Sequence, residues 1–126
     1  MTFVIREGDS TTTGGTVLKA SGTLACEGRQ LARMGDPVWC PACEQVGFIC
    51  EGNPTFIDAL IAVATHAQAV KCGCCEGINR LIASQDQLVA DMDAAISIPK
   101  DEADQARKRA KRLAKSIQPD LPSAPL

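Results

Sequence analysis

Ile57-Asp58-Ala59-Leu60-Ile61-Ala62-Val63-Ala64-Thr65-His66 contains no glycine and, taken alone, passes for a helix. Periodicity cannot separate a short apolar helix from strands over so few residues. The flanking chain points the other way. Thr16-Val17-Leu18, Thr23-Leu24-Ala25-Cys26 and Phe48-Ile49-Cys50 are strand-like runs of three or four residues. Turn signals separate them at Gly14-Gly15, Ser21-Gly22, Glu27-Gly28, Gly35-Asp36-Pro37 and Gly52-Asn53-Pro54. Short runs with frequent turns suggest a small, mainly β unit.

A weak internal repeat bears on the ambiguous segment. A shift of 32 residues lays Thr23 on Thr55, Ala32 on Ala64, Val38 on Val70 and Cys40 on Cys72. Leu24 then falls on Phe56 and Leu31 on Val63. Each unit ends in a cysteine. If the repeat holds, residues 57–66 copy a strand–turn–strand unit and are β; without it, strand and helix stay open over residues 57–71.

The chain has 126 residues, room for one domain and an appendage. Its net charge of -2 excludes a uniformly basic nucleic-acid coat. Aromatics make up 3%, so the core must come from Val, Ile, Leu and Ala. The opening Met1–Ser10 lacks the apolar run and cleavage pattern of a secretory signal, and no stretch reaches the about 18 apolar residues of a membrane helix. The expectation is synthesis in the cytosol, where thiols stay reduced.

The two parts of the chain differ in kind. All ten glycines lie at or before Gly77. Residues 1–99 hold six basic and eleven acidic side chains; residues 100–126 hold seven basic and four acidic. The division is placed between a body over residues 1–84 and a helical extension over 85–126. Ser84-Gln85-Asp86-Gln87 fits a capping box, and Leu88, Met92 and Ile96 recur every four residues, predicting a first helix that Pro99 stops. Asp101, Glu102 and Asp104 open a second helix and Arg107 to Lys115 crowd its end, an order that suits the helix dipole. Ala103, Ala106, Ala110, Leu113 and Ile117 form a thin apolar stripe. Pro119, Pro122 and Pro125 predict a flexible end.

Seven cysteines cannot all form intramolecular disulfides. Cys40-Pro41-Ala42-Cys43 is a C-x2-C pair, and Cys72-Gly73-Cys74-Cys75 follows, with His66 just before it. Two thiolates two residues apart can bite one ion from a tight turn, and four soft ligands closed tetrahedrally suit zinc. The other readings are buried small residues with spare thiols, or a redox pair at Cys40 and Cys43. Cys26 and Cys50 read as core fillers. Trp39 reads as packing over the site or as a surface anchor. With one histidine, no Ser/His/Asp set and no phosphate-loop lysine after Gly14-Gly15, nothing looks catalytic.

These motifs fall in the order of a known family. Gly8-Asp9-Ser10-Thr11-Thr12-Thr13-Gly14-Gly15-Thr16-Val17 resembles the G-D-x-T-T-H-G-G-x-V opening of PAAR-repeat proteins, the spike-tip proteins of type VI secretion systems. Gly28 to Pro41 is similar to the family's G-R-P-V-A-R-x-G-D-x-V-x-C-P, and Glu51 to Asp58 to its E-G-x-P-T-F-x-x. Val70-Lys71-Cys72-Gly73-Cys74 and Leu81-Ile82-Ala83-Ser84 resemble its closing V-A-C-G-C-x-L-I-x-S. The chain departs from the pattern at Thr13, where the family has a His ligand, and at Cys43, where C-P-x-H supplies another. Gln30 replaces a proline, the second copy around Ala59-Leu60 is the least faithful part, and residues 75–80 look like an insertion.

The resemblance implies a small cone of short β-strands with pseudo-repeats, plus the C-terminal helical extension. It implies one structural zinc ion near the point, at Cys43, His66 and Cys72, with Cys40 or Cys74 able to replace the missing ligand. It implies a non-enzymatic tip, one copy per spike, that caps a trimeric valine-glycine-repeat protein through an apolar base and is injected through the secretion system to puncture a membrane. The extension would hold an effector, an adaptor or a chaperone, or fold back on the cone. The alternative is a zinc-ribbon-like nucleic-acid or protein-binding module, which calls for a basic body; this one is acidic.

Overall fold

The computed structural model describes residues 2–74 and 76–117. The strands are β1 (Thr2–Phe3), β2 (Ser10–Thr11), β3 (Thr16–Val17), β4 (Ala25–Cys26), β5 (Arg29–Gln30), β6 (Pro37–Cys40), β7 (Gln45–Ile49), β8 (Glu51–Asp58), β9 (Ile61–Val63), β10 (Val70–Lys71), β11 (Leu81–Ile82), β12 (Val89–Ala90) and β13 (Ile96–Ser97). One helix, α1 (Lys100–Ile117), follows.

Three units, not two, build the body. Ala32 donates its N–H to Ile5 O, Ala64 to Ala32 O, and Ile5 to Ala64 O, each at 2.9 Å. This ring of bonds is a pseudo-threefold centre. Each of the three residues enters a tight turn: Arg6-Glu7-Gly8-Asp9, Arg33-Met34-Gly35-Asp36 and Thr65-His66-Ala67-Gln68. In each turn the fourth side chain accepts the N–H of the first, at 2.7 Å for Asp9, 2.8 Å for Asp36 and 2.8 Å for Gln68. The third residue is left-handed each time, with φ of 88°, 95° and 71° at Gly8, Gly35 and Ala67. Glycine adopts that conformation freely and alanine does not.

After each turn the chain forms a hairpin. These are β2–β3, β6–β7 and the pair formed by β10 with β11, and they line up as one sheet in the order β10-β7-β6-β3-β2-β11. A bridge between Ala69 and Arg80 and a bond from Val70 N to Asn79 O join the two ends. The sheet is therefore a nearly closed cone. Its three hairpin tips, near Thr13, Pro41–Glu44 and Cys72–Cys74, share one end.

The narrow interior explains the scarcity of rings. Ile5, Val17, Ala20, Ala32, Val38, Ile49, Ala64, Val70 and Leu81 fill it, and a second cluster of Val4, Cys26, Leu31 and Val63 packs with Phe56 and Leu88. Each fully buried Ile, Leu or Val contributes roughly 1.5–3 kcal/mol. Cys26 is a core filler, whereas Cys50 is half-buried with its Sγ on Ala69 O at 3.3 Å. Trp39 is buried within β6, so it packs rather than anchors a surface.

Residues 57–66 run strand, turn, strand and contain no helix. Ala59 and Leu60, with φ of 51° and 73°, form the turn between β8 and β9. Glu27 and Gly28, with φ of 51° and 83°, form the matching turn between β4 and β5. Thirty-two residues separate the two turns, as the repeat requires.

The helix expected from Ser84 does not form. Ser84 is taken by the body: its Oγ donates to Asp9 Oδ1 and accepts from Arg6 Nη2 at 3.0 Å and Arg29 Nη2 at 2.9 Å. Gln85 is buried, donating to Val4 O at 3.0 Å and accepting from the N–H groups of Gln87 and Leu88 at 2.7 and 2.8 Å. Residues 86–98 instead form a belt. Within it β12 pairs with β1 and β13 with β8, while Asn53 and Gln68 donate to Met92 O and Ala94 O. Tertiary partners outbid a local capping signal that covers only four residues.

The second expected helix forms as α1. Ala106 and Ala110, each 1% exposed, press on β6 and β7. Arg107 lies 5.6 Å over the Phe48 ring and Arg109 Nη2 reaches Gly35 O at 3.5 Å. The expected flexible end at 118–126 and the Cys75 position lie outside the described residues.

Candidate metal centre

Hairpin geometry brings four cysteines together. Cys40 ends β6 and Cys43 sits in the turn after it; Cys72 and Cys74 follow β10. The register pairing Cys40 with Gln45 and Lys71 with Phe48 sets β6, β7 and β10 side by side. Gly47 makes the approach possible. A Cβ there would lie 2.1 Å from Lys71 O and 2.8 Å from Cys72 Cβ. Gly15 does the same for the first hairpin, where a Cβ would lie 2.0 Å from Trp39 O.

The four Sγ atoms of Cys40, Cys43, Cys72 and Cys74 lie within 4.8 Å of one another, and Cys40 Sγ is 3.6 Å from Cys74 Sγ. A tetrahedral zinc site with Zn–S bonds of about 2.3 Å needs sulfurs about 3.8 Å apart. The donor set therefore fits a soft, tetrahedral cation. The described cysteines are free thiols.

Donors surround the sulfurs. Gly73 N–H points at Cys43 Sγ at 3.3 Å, while Cys74 N–H and Asn79 Nδ2 both reach Cys72 Sγ at 3.5 Å. Thr13 Oγ1 is 3.2 Å from Cys40 Sγ. Burial opposes ionisation of Cys40, but hydrogen bonds from Thr13, Cys43 and Cys74 outweigh it and hold its thiol at about 7. Cys74 moves the other way. Its contact with Cys40, then burial and the Cys72 and Cys43 sulfurs, push its thiol up to about 12. Burial, and next the Cys40 sulfur, also raise Cys43. Crowded thiols resist losing every proton until a cation neutralises the charge.

His66 stands apart from this group. It occupies the second position of the third tight turn, and its Nδ1 accepts the Ala83 N–H at 3.0 Å. Its sequence position six residues before Cys72 made it a natural candidate, yet those residues include the turn that carries the ring away from the hairpin tip. A 32-residue shift does not reach the first tight turn, which lies 27 residues before the second, from Arg6 to Arg33. The signal was present: Arg-x-Gly-Asp occurs at Arg6–Asp9 and again at Arg33–Asp36.

The site thus sits at one end of a nearly closed β-cone of three hairpins, two of which supply its cysteines. The family model described as the PAAR motif matches residues 7–75, more than half the chain, and the protein belongs to that family. The family is a structural one, the spike tips of type VI secretion systems, and its members associate with a spike and are delivered by that system. No curated protein and no solved structure matches the chain. Among the described residues no helix is long and apolar enough to cross a membrane.

Proposed function

We propose that this protein is the non-enzymatic tip of a type VI secretion spike, capping a trimeric valine-glycine-repeat protein and stiffened by one zinc ion on Cys40, Cys43, Cys72 and Cys74. The observation that carries the metal reading is the gathering of four sulfurs from two hairpins at one end of the cone. When bound, zinc would supply a crosslink between those hairpins. A cone this small has little core with which to resist load, so a crosslink at its tip has mechanical value.

The opposite end supports capping. Leu24, Ile57 and Leu60 are 48%, 51% and 96% exposed. They lie on adjacent segments, since Asp58 accepts the N–H groups of Thr23 and Leu24, Ile57 precedes it in β8 and Leu60 sits in the β8–β9 turn that follows. Exposed apolar side chains at the blunt end suit burial against a spike. A pseudo-threefold body also suits a threefold partner.

α1 is docked, and its outward face holds Lys108, Lys111, Arg112 and Lys115. A groove of about 540 Å³ beside it is bordered by Phe48, Val70, Lys71, Cys72, Ala103 and Arg107. This face is where an effector, adaptor or chaperone would bind. The acidic cone favours the tip over a nucleic-acid module.

Co-purification with the trimeric spike tests the main reading. Retention with the wild-type chain and loss with Leu24→Asp and Leu60→Asp is the expected result. A chain that ignores the spike yet retards DNA would overturn it.

A further inference from the structure

Thr13 stands where the family resemblance places a histidine ligand, and a threonine hydroxyl is a poor partner for zinc. It has nonetheless kept contact with the cluster. Its Oγ1 lies 3.2 Å from Cys40 Sγ and 3.2 Å from Thr11 Oγ1. Thr11 Oγ1 in turn accepts the Gly15 N–H at 3.0 Å.

A metal-bound thiolate has no proton, so in a loaded site Thr13 must be the donor to Cys40 Sγ. With its proton on Cys40, Thr13 Oγ1 is left to accept, and the Thr11 hydroxyl is the donor within reach at 3.2 Å. The Gly15 N–H can only donate, so the Thr11 oxygen accepts from it and its own proton is free to point elsewhere. Cys40 is fully buried, so water cannot replace a lost donor. Four thiolates around a divalent cation carry a net charge of −2, and donors aimed at sulfur spread that charge. Cys43 and Cys72 receive theirs from hairpin three, from Gly73 N–H, Cys74 N–H and Asn79. Cys40 receives one donor from its own hairpin, the Cys43 backbone, and a second from hairpin one, Thr13.

We infer that Thr11 and Thr13 form a hydroxyl relay, running from Gly15 N–H to Cys40 Sγ, that positions Cys40 in the metal site and ties the first hairpin to it. In this chain hairpin one contributes no ligand; it holds a ligand of hairpin two by hydrogen bond. Thr13 is a positioning residue. The inference rests on the four-cysteine reading above.

The test uses the full chain and two probes, Zn2+ titrated against a chromophoric chelator and Co2+ followed by its sulfur-to-metal absorption. Thr13→Val should weaken Zn2+ binding about 10–100-fold, as loss of a ligand's hydrogen-bond partner typically does. Its Co2+ charge-transfer band should move to longer wavelength, because an unbonded thiolate gives up electron density more easily. Thr13→Ser should restore both. Thr11→Val should weaken binding in the same direction, and the double variant should be no weaker than Thr13→Val, since the two act in series. Should Thr13→Val fail to fold, Thr11→Val and Thr13→Ser still decide the matter. A Thr13→Val protein with wild-type affinity and spectrum, or additive losses in the double variant, overturns the relay and leaves the four-cysteine site standing. Wild-type protein that takes up neither ion overturns both.

Discussion

Cys40 Sγ and Cys74 Sγ lie 3.6 Å apart across the gap between the second and third hairpins. The β7–β10 strand pair joins those hairpins only as far as Lys71, and beyond it the sulfurs, or an ion between them, link the two tips. Purified protein should therefore contain one zinc ion per chain, and Cys40→Ser or Cys72→Ser should abolish stoichiometric binding. Chelation should lower thermal stability. A metal held at about a thousand times its dissociation constant contributes about 4 kcal/mol. Calorimetry with and without chelator checks this.

Zinc binding should depend on pH in a defined direction. With the Cys40 thiol at about 7 and Cys74 pushed up to about 12, an incoming cation displaces protons at neutral pH. Affinity should rise with pH, about tenfold per unit for each proton displaced. Titration in two buffers of different ionisation enthalpy counts those protons directly.

Asp58 clamps the turn before β4. It accepts the N–H groups of Thr23 and Leu24 at 2.8 and 3.2 Å as well as the Thr23 hydroxyl. Burial opposes its charge, but those bonds prevail and lower its pKa. A lowered folded pKa stabilises above the unfolded value, near pH 4, and that stability is lost as pH falls through the folded value. Asp58→Asn should flatten the acid limb of stability against pH, measured by urea unfolding. Asp36 does not share this behaviour, because burial outweighs its hydrogen bonds and raises it.

Leu60 combines 96% exposure with a φ of 73°. Left-handed backbone costs a β-carbon residue about 1–2 kcal/mol, and glycine occupies the matching Gly28 position. Leu60→Gly should raise stability by about 1 kcal/mol while weakening retention on the spike. Ala67→Gly, at φ 71° in the third tight turn, should stabilise by a similar amount and leave spike binding unchanged. Thermal melts paired with pull-downs separate the two effects.

Gly47 lets β7 meet β10. Gly47→Ala places a methyl against Lys71 O and Cys72 Cβ, and neither backbone can yield without moving a sulfur. The expected cost is about 1–3 kcal/mol of stability together with weaker zinc uptake. An unchanged metal affinity would show that the hairpins are not held in register by this contact.

Much of this was legible along the chain. Turn residues marked the hairpins, paired cysteines marked the tip, and the 32-residue shift marked two of the three units. The order of acidic and basic residues marked α1, because helix dipoles act within one element. The Ser84 capping box misled for the complementary reason. Its local hydrogen bonds are worth less than those offered by Arg6, Asp9 and Arg29, which are 55 or more residues away.

Sequence alone thus determined what short-range physics controls: where the chain turns, which segments alternate, where a helix can start, and which soft ligands occur in pairs. Tertiary structure alone decided what closure of the cone controls. It set Ile5, Ala32 and Ala64 into one ring of hydrogen bonds, turned His66 toward Ala83, and aimed Thr13 at Cys40. Those relations join residues 17 to 59 positions apart, and they exist only once three hairpins share a single sheet.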